Sequence, residues 1–178
     1  NKAWQTVSSK YLFRRPWLTV RCEDMLLPNG NHIPEYYILE YPDWVNTIAI
    51  TKEGKFVFVR QYRPGIGRTC YELCAGVCEK EDVSPLVSAQ RELWEETGYG
   101  NGNWQEYMVV SANPSTHTNL THCFLATDVE LIDHQHLEAT EDISVHLFTL
   151  EEVRTLLENN EIMQSLNAAP LWKYMASL

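Results

Sequence analysis

The sequence predicts an α+β fold: an α/β/α sandwich on a mixed β-sheet, with a β-rich appendage at the N-terminus. Three observations predict it. Runs of β-branched and aromatic residues broken by turn residues recur along the chain, and few segments show helical periodicity. The 178 residues are 44% apolar and 11% aromatic, enough to bury one core. Residues 1–44 are expected to form the appendage and residues 45–178 the main domain. No internal repeat or low-complexity linker is present.

In the appendage, strands are expected over Trp17–Leu27 and Ile33–Tyr41, joined by a turn at Pro28-Asn29-Gly30. A second hairpin follows, with Val45–Thr51 and Lys55–Tyr62 flanking Lys52-Glu53-Gly54. In its second strand Phe56 and Phe58 alternate with Val57 and Val59, which predicts a strand covered on both faces. A short strand is expected over Thr69–Cys74. The clearest helix starts after Ser84-Pro85, with Ser as cap and Pro at the first helical position. Leu86, Ala89 and Leu93 form its apolar stripe, and Gly98 ends it. Further strands are expected over Gln105–Ser111, Leu120–Thr127 and Ile143–Leu150, and closing helices over Glu151–Asn159 and Ile162–Tyr174.

Charge excludes some functions. There are 24 acidic against 14 basic residues, a formal net charge of -10, and no Lys/Arg run. A nonspecific nucleic-acid binder needs clustered cations to neutralise phosphates, so none is expected. No apolar run approaches the roughly 18 residues of a membrane span, and the polar start predicts no secretory signal. Five cysteines are an odd count in a chain with a real core. Cys70, Cys74 and Cys78 are therefore read as separate thiols of a cytoplasmic protein. His117, His122, His134 and His136 are read as surface or turn histidines.

The stretch Arg91-Glu92-Leu93-Trp94-Glu95-Glu96-Thr97-Gly98 carries the most chemistry. Glu92 and Glu96 are four apart and stack on one helical face, with Glu95 beside them. Like charges at that spacing cost a few tenths of a kcal/mol, roughly, and the helix C-terminus disfavours anions further. A bound divalent cation reverses the sign of that cost, and oxygen-only ligands favour Mg²⁺ or Mn²⁺ over zinc.

This stretch resembles the Nudix box, G-x5-E-x7-R-E-U-x-E-E-x-G-U, where U is aliphatic or aromatic. Arg91 through Tyr99 matches the second half at every specified position, and Gly76 matches the opening glycine. The interval from Gly76 to Arg91 is one residue longer than the pattern. Counted forward, the early glutamate slot falls on Asp82; counted back, it falls on Val83. Val59-Arg60-Gln61-Tyr62-Arg63-Pro64 and Tyr71-Glu72-Leu73-Cys74-Ala75-Gly76 are similar to the ADP-ribose pyrophosphatase branch, with Cys74 in place of its usual proline.

The resemblance implies a Nudix-type sandwich and Mg²⁺-dependent hydrolysis (Mn²⁺ as a substitute) of a nucleoside diphosphate linked to a second moiety. ADP-ribose, giving AMP and ribose 5-phosphate, is the favoured substrate. It implies metal ligands at Glu92, Glu95, Glu96 and the Ala75 carbonyl, braced by Arg91. Arg63 would contact the diphosphate, Glu72 would lie at the substrate pocket, and Pro114 matches a proline associated with ADP-ribose preference. Glu141, with Glu138 as second choice, would orient or deprotonate the attacking water. It further implies a homodimer whose N-terminal strands help build a base pocket, with Trp17, Tyr36 and Tyr37 as stacking candidates. A GDP-mannose or UDP-glucose pyrophosphatase, and a catalytically weak ligand-sensing module, are the rival readings.

Overall fold

Alternation of side chains along β4 (Trp44–Thr51) and β5 (Phe56–Arg63) sets the layers of the main sheet. Ile48, Ile50, Phe56 and Phe58 face one way, into a cluster with Val153, Leu156, Leu157, Ile162 and Leu171 of the C-terminal segment. Ala49 and Val57 face the other way and meet Leu93, Ala126 and Val129. Phe56 through Val59 are all buried, as expected for a strand covered on both faces.

The computed structural model describes residues 2–178. The remaining elements are β1 (Gln5–Arg15), β2 (Leu18–Leu26), β3 (His32–Glu40), β6 (Arg68–Glu72), β7 (Cys74–Val77), α1 (Pro85–Thr97), β8 (Tyr99–Gly100), β9 (Asn103–Val110), β10 (Thr121–Leu131), β11 (Ser144–Phe148), α2 (Leu150–Glu158) and α3 (Ser165–Met175). Contacts divide the chain into two units, one running to Pro42 with Ser111–Asn119 added, the other comprising Asp43–Val110 and Leu120–Leu178.

In the first unit β1, β2 and β3 form an antiparallel sheet. β1 lies outside the strands expected from sequence. Every residue of it is exposed, so no burial pattern marks it, and its pairing with β2 defines it. Trp17, expected inside a strand, occupies the β1–β2 turn with φ 65 and is 78% exposed. Gly30 sits in the next turn at φ 87, a conformation that costs glycine little.

In the second unit the strand order is β11-β5-β4-β10-β8, with β6 paired to β5, β7 to β4 and β9 to β10. β4 and β10 run parallel and the other pairs are antiparallel, so the sheet is mixed. α1 covers one face; α2 and α3 serve the other. α1 is capped as the sequence predicts: the Ser84 side chain accepts from Val87 N, and Gly98, at φ 75, donates to the Trp94 carbonyl.

α3 begins at Ser165, later than expected, because Ile162 is buried ahead of the helix and not within it. Pro170 lies inside α3 and has no N–H to give the Leu166 carbonyl one turn back. Asn46 Nδ2 donates to that carbonyl instead, at 2.7 Å. Among the described residues no helix is long and apolar enough to cross a membrane. All five cysteines are free.

Candidate active site

β7 and α1 lie side by side, and the strand backbone receives the helix carboxylates. Ala75 N donates to Glu96 Oε2 at 3.2 Å, and Val77 N donates to Glu92 Oε1 at 3.3 Å. Gly76 stands between them. A Cβ there would lie 2.0 Å from the Glu92 carboxyl carbon, so only glycine leaves the Glu92 carboxylate in this place.

Arg91 ties loop to helix. Its Nη1 donates to Glu92 Oε1 and Glu95 Oε2, each at 3.0 Å. Its Nη2 donates to the Val77 carbonyl and to Asp82 Oδ2, each at 3.0 Å. Burial opposes the Arg91 charge, but Asp82, Glu92 and Glu95 outweigh it and raise the pKa. Asp82 Oδ2 also accepts from Ser88 Oγ at 2.7 Å and Glu79 N at 3.2 Å. Arg91 first, then Ser88, hold its carboxyl below the usual range. Val83 is 88% exposed. Of the two ways of counting the lengthened loop, the structure puts Asp82 against the arginine.

Glu96 is 4% exposed. Burial pushes its carboxyl up to about 8, assisted by the charges of Glu92 and Glu141; hydrogen bonds from the Cys74 thiol and the Ala75 amide work the other way. Burial also raises Glu92, against the pull of Arg91. Crowded carboxylates that resist ionisation are what an all-oxygen cation site looks like to its own side chains. Glu92, Glu95 and Glu96, with the Ala75 carbonyl on the strand alongside, offer the all-oxygen set that a hard divalent ion takes.

Beside this cluster a cavity of about 310 Å³ is lined by Trp44, Asn46, Arg63, Ala75, Gly76 and Thr121, among others. Arg63 reaches it from the end of β5. Its Nε and Nη2 donate to Glu72 Oε1 and Oε2 at 2.8 and 2.5 Å, a two-pronged pair. Glu72 is 2% exposed, and Gln61 Nε2 lies 3.5 Å from its Oε2. The carboxylate is thus taken up by its neighbours, and Arg63 is the member of the pair that faces the cavity.

Glu141 lies on the exposed segment before β11, where its Oε2 accepts from Glu138 N at 2.8 Å. Pro114 and Trp17 belong to the first unit. Around Pro114, Asn113 accepts from the amides of Thr116 and His117, and Tyr36 OH donates to the Ser115 carbonyl at 2.6 Å.

Two features escape a reading of the sequence. The Cys74 thiol sits against Glu96, a contact to which only the replacement of the branch's usual proline draws attention. Gln135 Nε2 donates to the Glu96 carbonyl at 2.7 Å and to Ile143 O at 3.2 Å, and no sequence signal points to it.

The nucleoside diphosphate sugar hydrolase N-terminal domain matches residues 4–39, and the NUDIX domain matches residues 41–168. The ADP-ribose pyrophosphatase of Bacillus subtilis (strain 168) is 31% identical over 165 residues, spanning 92% of this chain and 88% of that protein. The methanol dehydrogenase activator of Bacillus methanolicus is 29% identical over 162 residues, spanning 90% and 86%. A crystal structure of an ADP compounds hydrolase shares the fold, with a TM-score of 0.85 at 20% identity over 98% of this chain and 94% of the other. With the glutamate helix, its arginine brace and the glycine approach already in place, these matches show that the chain belongs to the Nudix family and is a Nudix pyrophosphohydrolase.

Proposed function

We propose that the protein hydrolyses ADP-ribose to AMP and ribose 5-phosphate, using Mg²⁺, with Mn²⁺ able to replace it. The observation that carries this reading is the set Glu92, Glu95 and Glu96, braced by Arg91 at the edge of a cavity into which Arg63 projects. When bound, the cation neutralises diphosphate charge and lowers the pKa of water.

The chain's own residues do the rest. Arg63, aligned by the Glu72 carboxylate through Nε and Nη2, holds the diphosphate by its remaining N–H donors. Arg91 fixes Glu92 and Glu95 so that no reorganisation is needed as charge develops. Glu141 takes the proton of the attacking water as oxygen bonds to phosphorus and the bridging P–O bond breaks. Trp17, contributed by a second copy of the chain, stacks on the base, and Pro114 goes with a preference for ADP-ribose. The exposed apolar side chains of β1 and its turn, Val7, Tyr11, Leu12, Phe13 and Trp17, support a homodimer built by residues 1–44. The free thiols support a cytoplasmic location.

The test is Mg²⁺-dependent phosphate release, coupled to a phosphatase, from ADP-ribose, NADH, GDP-mannose and diadenosine polyphosphates. The highest kcat/KM is expected for ADP-ribose. A preference for GDP-mannose would move the assignment to the nucleotide sugars, and no release from any of them would leave a ligand sensor.

A further inference from the structure

Beyond β10 the chain crosses the C-terminal end of α1. Ile132 N and Asp133 N donate to the Gly98 carbonyl at 2.9 and 3.1 Å, and His136 N donates to the Glu95 carbonyl at 2.8 Å. Gln135, between the two histidines, holds the Glu96 carbonyl. The backbone of residues 132–136 is therefore pinned to the helix on both sides of three side chains with metal-binding atoms.

Those side chains converge. Asp133 Oδ1 lies 2.7 Å from His134 Nδ1, and Asp133 Oδ2 lies 2.9 Å from His136 Nε2. One ligand atom from each of the three falls within 4.8 Å of the others. In a tetrahedral zinc site neighbouring ligands stand about 3.4 Å apart, so modest side-chain rotation suffices. The His136 ring stacks on Trp94 with centroids 4.1 Å apart and 28° between planes, which fixes its orientation.

We propose that Asp133, His134 and His136 form a second metal site that takes one borderline dication, Zn²⁺ or a Ni²⁺ or Cu²⁺ surrogate, apart from the glutamate cluster. Two imidazoles and one carboxylate select such ions, whereas an all-oxygen set selects Mg²⁺. The position suits a cation. α1 has no basic residue in its last turn, and a positive charge at that end complements the helix dipole. The spacing of the histidines alone shows no third ligand; the fold supplies it in Asp133. This inference does not rest on the substrate assignment.

The experiment uses the full chain, free of added histidines, in saturating Mg²⁺. Ni²⁺ or Cu²⁺ is titrated while tryptophan fluorescence is followed, and Zn²⁺ binding is measured by calorimetry. One equivalent should bind and quench fluorescence. Affinity should fall more than about tenfold in His134→Ala and in His136→Ala, and stay unchanged in Glu92→Gln/Glu95→Gln. Trp94→Phe should remove most of the quenching while calorimetry still shows binding. The proposal is overturned if no ion binds, if binding survives loss of both histidines, if it disappears with the glutamates, or if quenching is unaffected in Trp94→Phe. Mg²⁺-dependent turnover, measured in parallel, is expected to be unchanged in the histidine variants, which separates failure here from failure of the hydrolase reading.

Discussion

Asp82 accepts a hydrogen bond from Arg91 Nη2 at 3.0 Å, while the next residue, Val83, points into solvent. The acid that answers the box arginine is therefore an aspartate reached across a loop one residue longer than the pattern. Asp82→Ala strips Arg91, Ser88 and the Glu79 amide of a shared acceptor. It is expected to destabilise the protein by about 1–3 kcal/mol in urea unfolding and to lower kcat. Val83→Glu, which restores an acid at the other count, should change neither.

Glu96→Gln keeps the side-chain shape but not the charge. In saturating Mg²⁺, kcat is expected to drop by about 10²-fold or more, with the circular dichroism spectrum unchanged. A near-wild-type rate would remove Glu96 from the ligand set.

The same carboxyl sets a pH dependence. Its pKa rises from 4.5 to about 8 on folding, so the folded state binds the proton more tightly than the unfolded chain. Stability of the metal-free protein is expected to be highest below about pH 4.5 with respect to this group and to decline as pH rises toward 8, by up to about 1.4 kcal/mol per pH unit. Urea midpoints in chelator at pH 5.5 and 8 measure the decline. Glu96→Gln should flatten it, and Mg²⁺ should offset it in the wild type.

Gly76→Ala places a methyl 2.0 Å from the Glu92 carboxyl carbon and must move that side chain off Val77 N. Activity is expected to fall by more than about tenfold, as misplacement at a preorganised site does. Gly65→Ala, with nothing within 4 Å of the added carbon, is the matched control and should keep full activity.

What the chain showed in advance depended on how local each signal was. α1 was readable because Ser84-Pro85 and Gly98 punctuate it and its glutamates share a face. β1 was not, because all eleven of its residues are exposed and only pairing with β2 defines it. α3 starts at Ser165 and not at Ile162, and no residue type marks that start, because Gln164 opens the helix without a side-chain cap. In the site, the glutamates and Arg91 could be named from the box. The pairing of Glu72 with Arg63, and of Asp82 with Arg91, joins residues from separate elements or across a loop of ambiguous count, which spacing alone does not resolve.

The bond from Asn46 to the Leu166 carbonyl makes two distant positions chemically one. A chain with any residue other than proline at 170 would regain the amide that answers that carbonyl, which would then no longer depend on the amide side chain at 46. Substitutions at the two positions should therefore compensate: Asn46→Leu should be tolerated far better alongside Pro170→Ala than alone. Among natural variants of this chain, the asparagine and the proline should be inherited or lost as a pair.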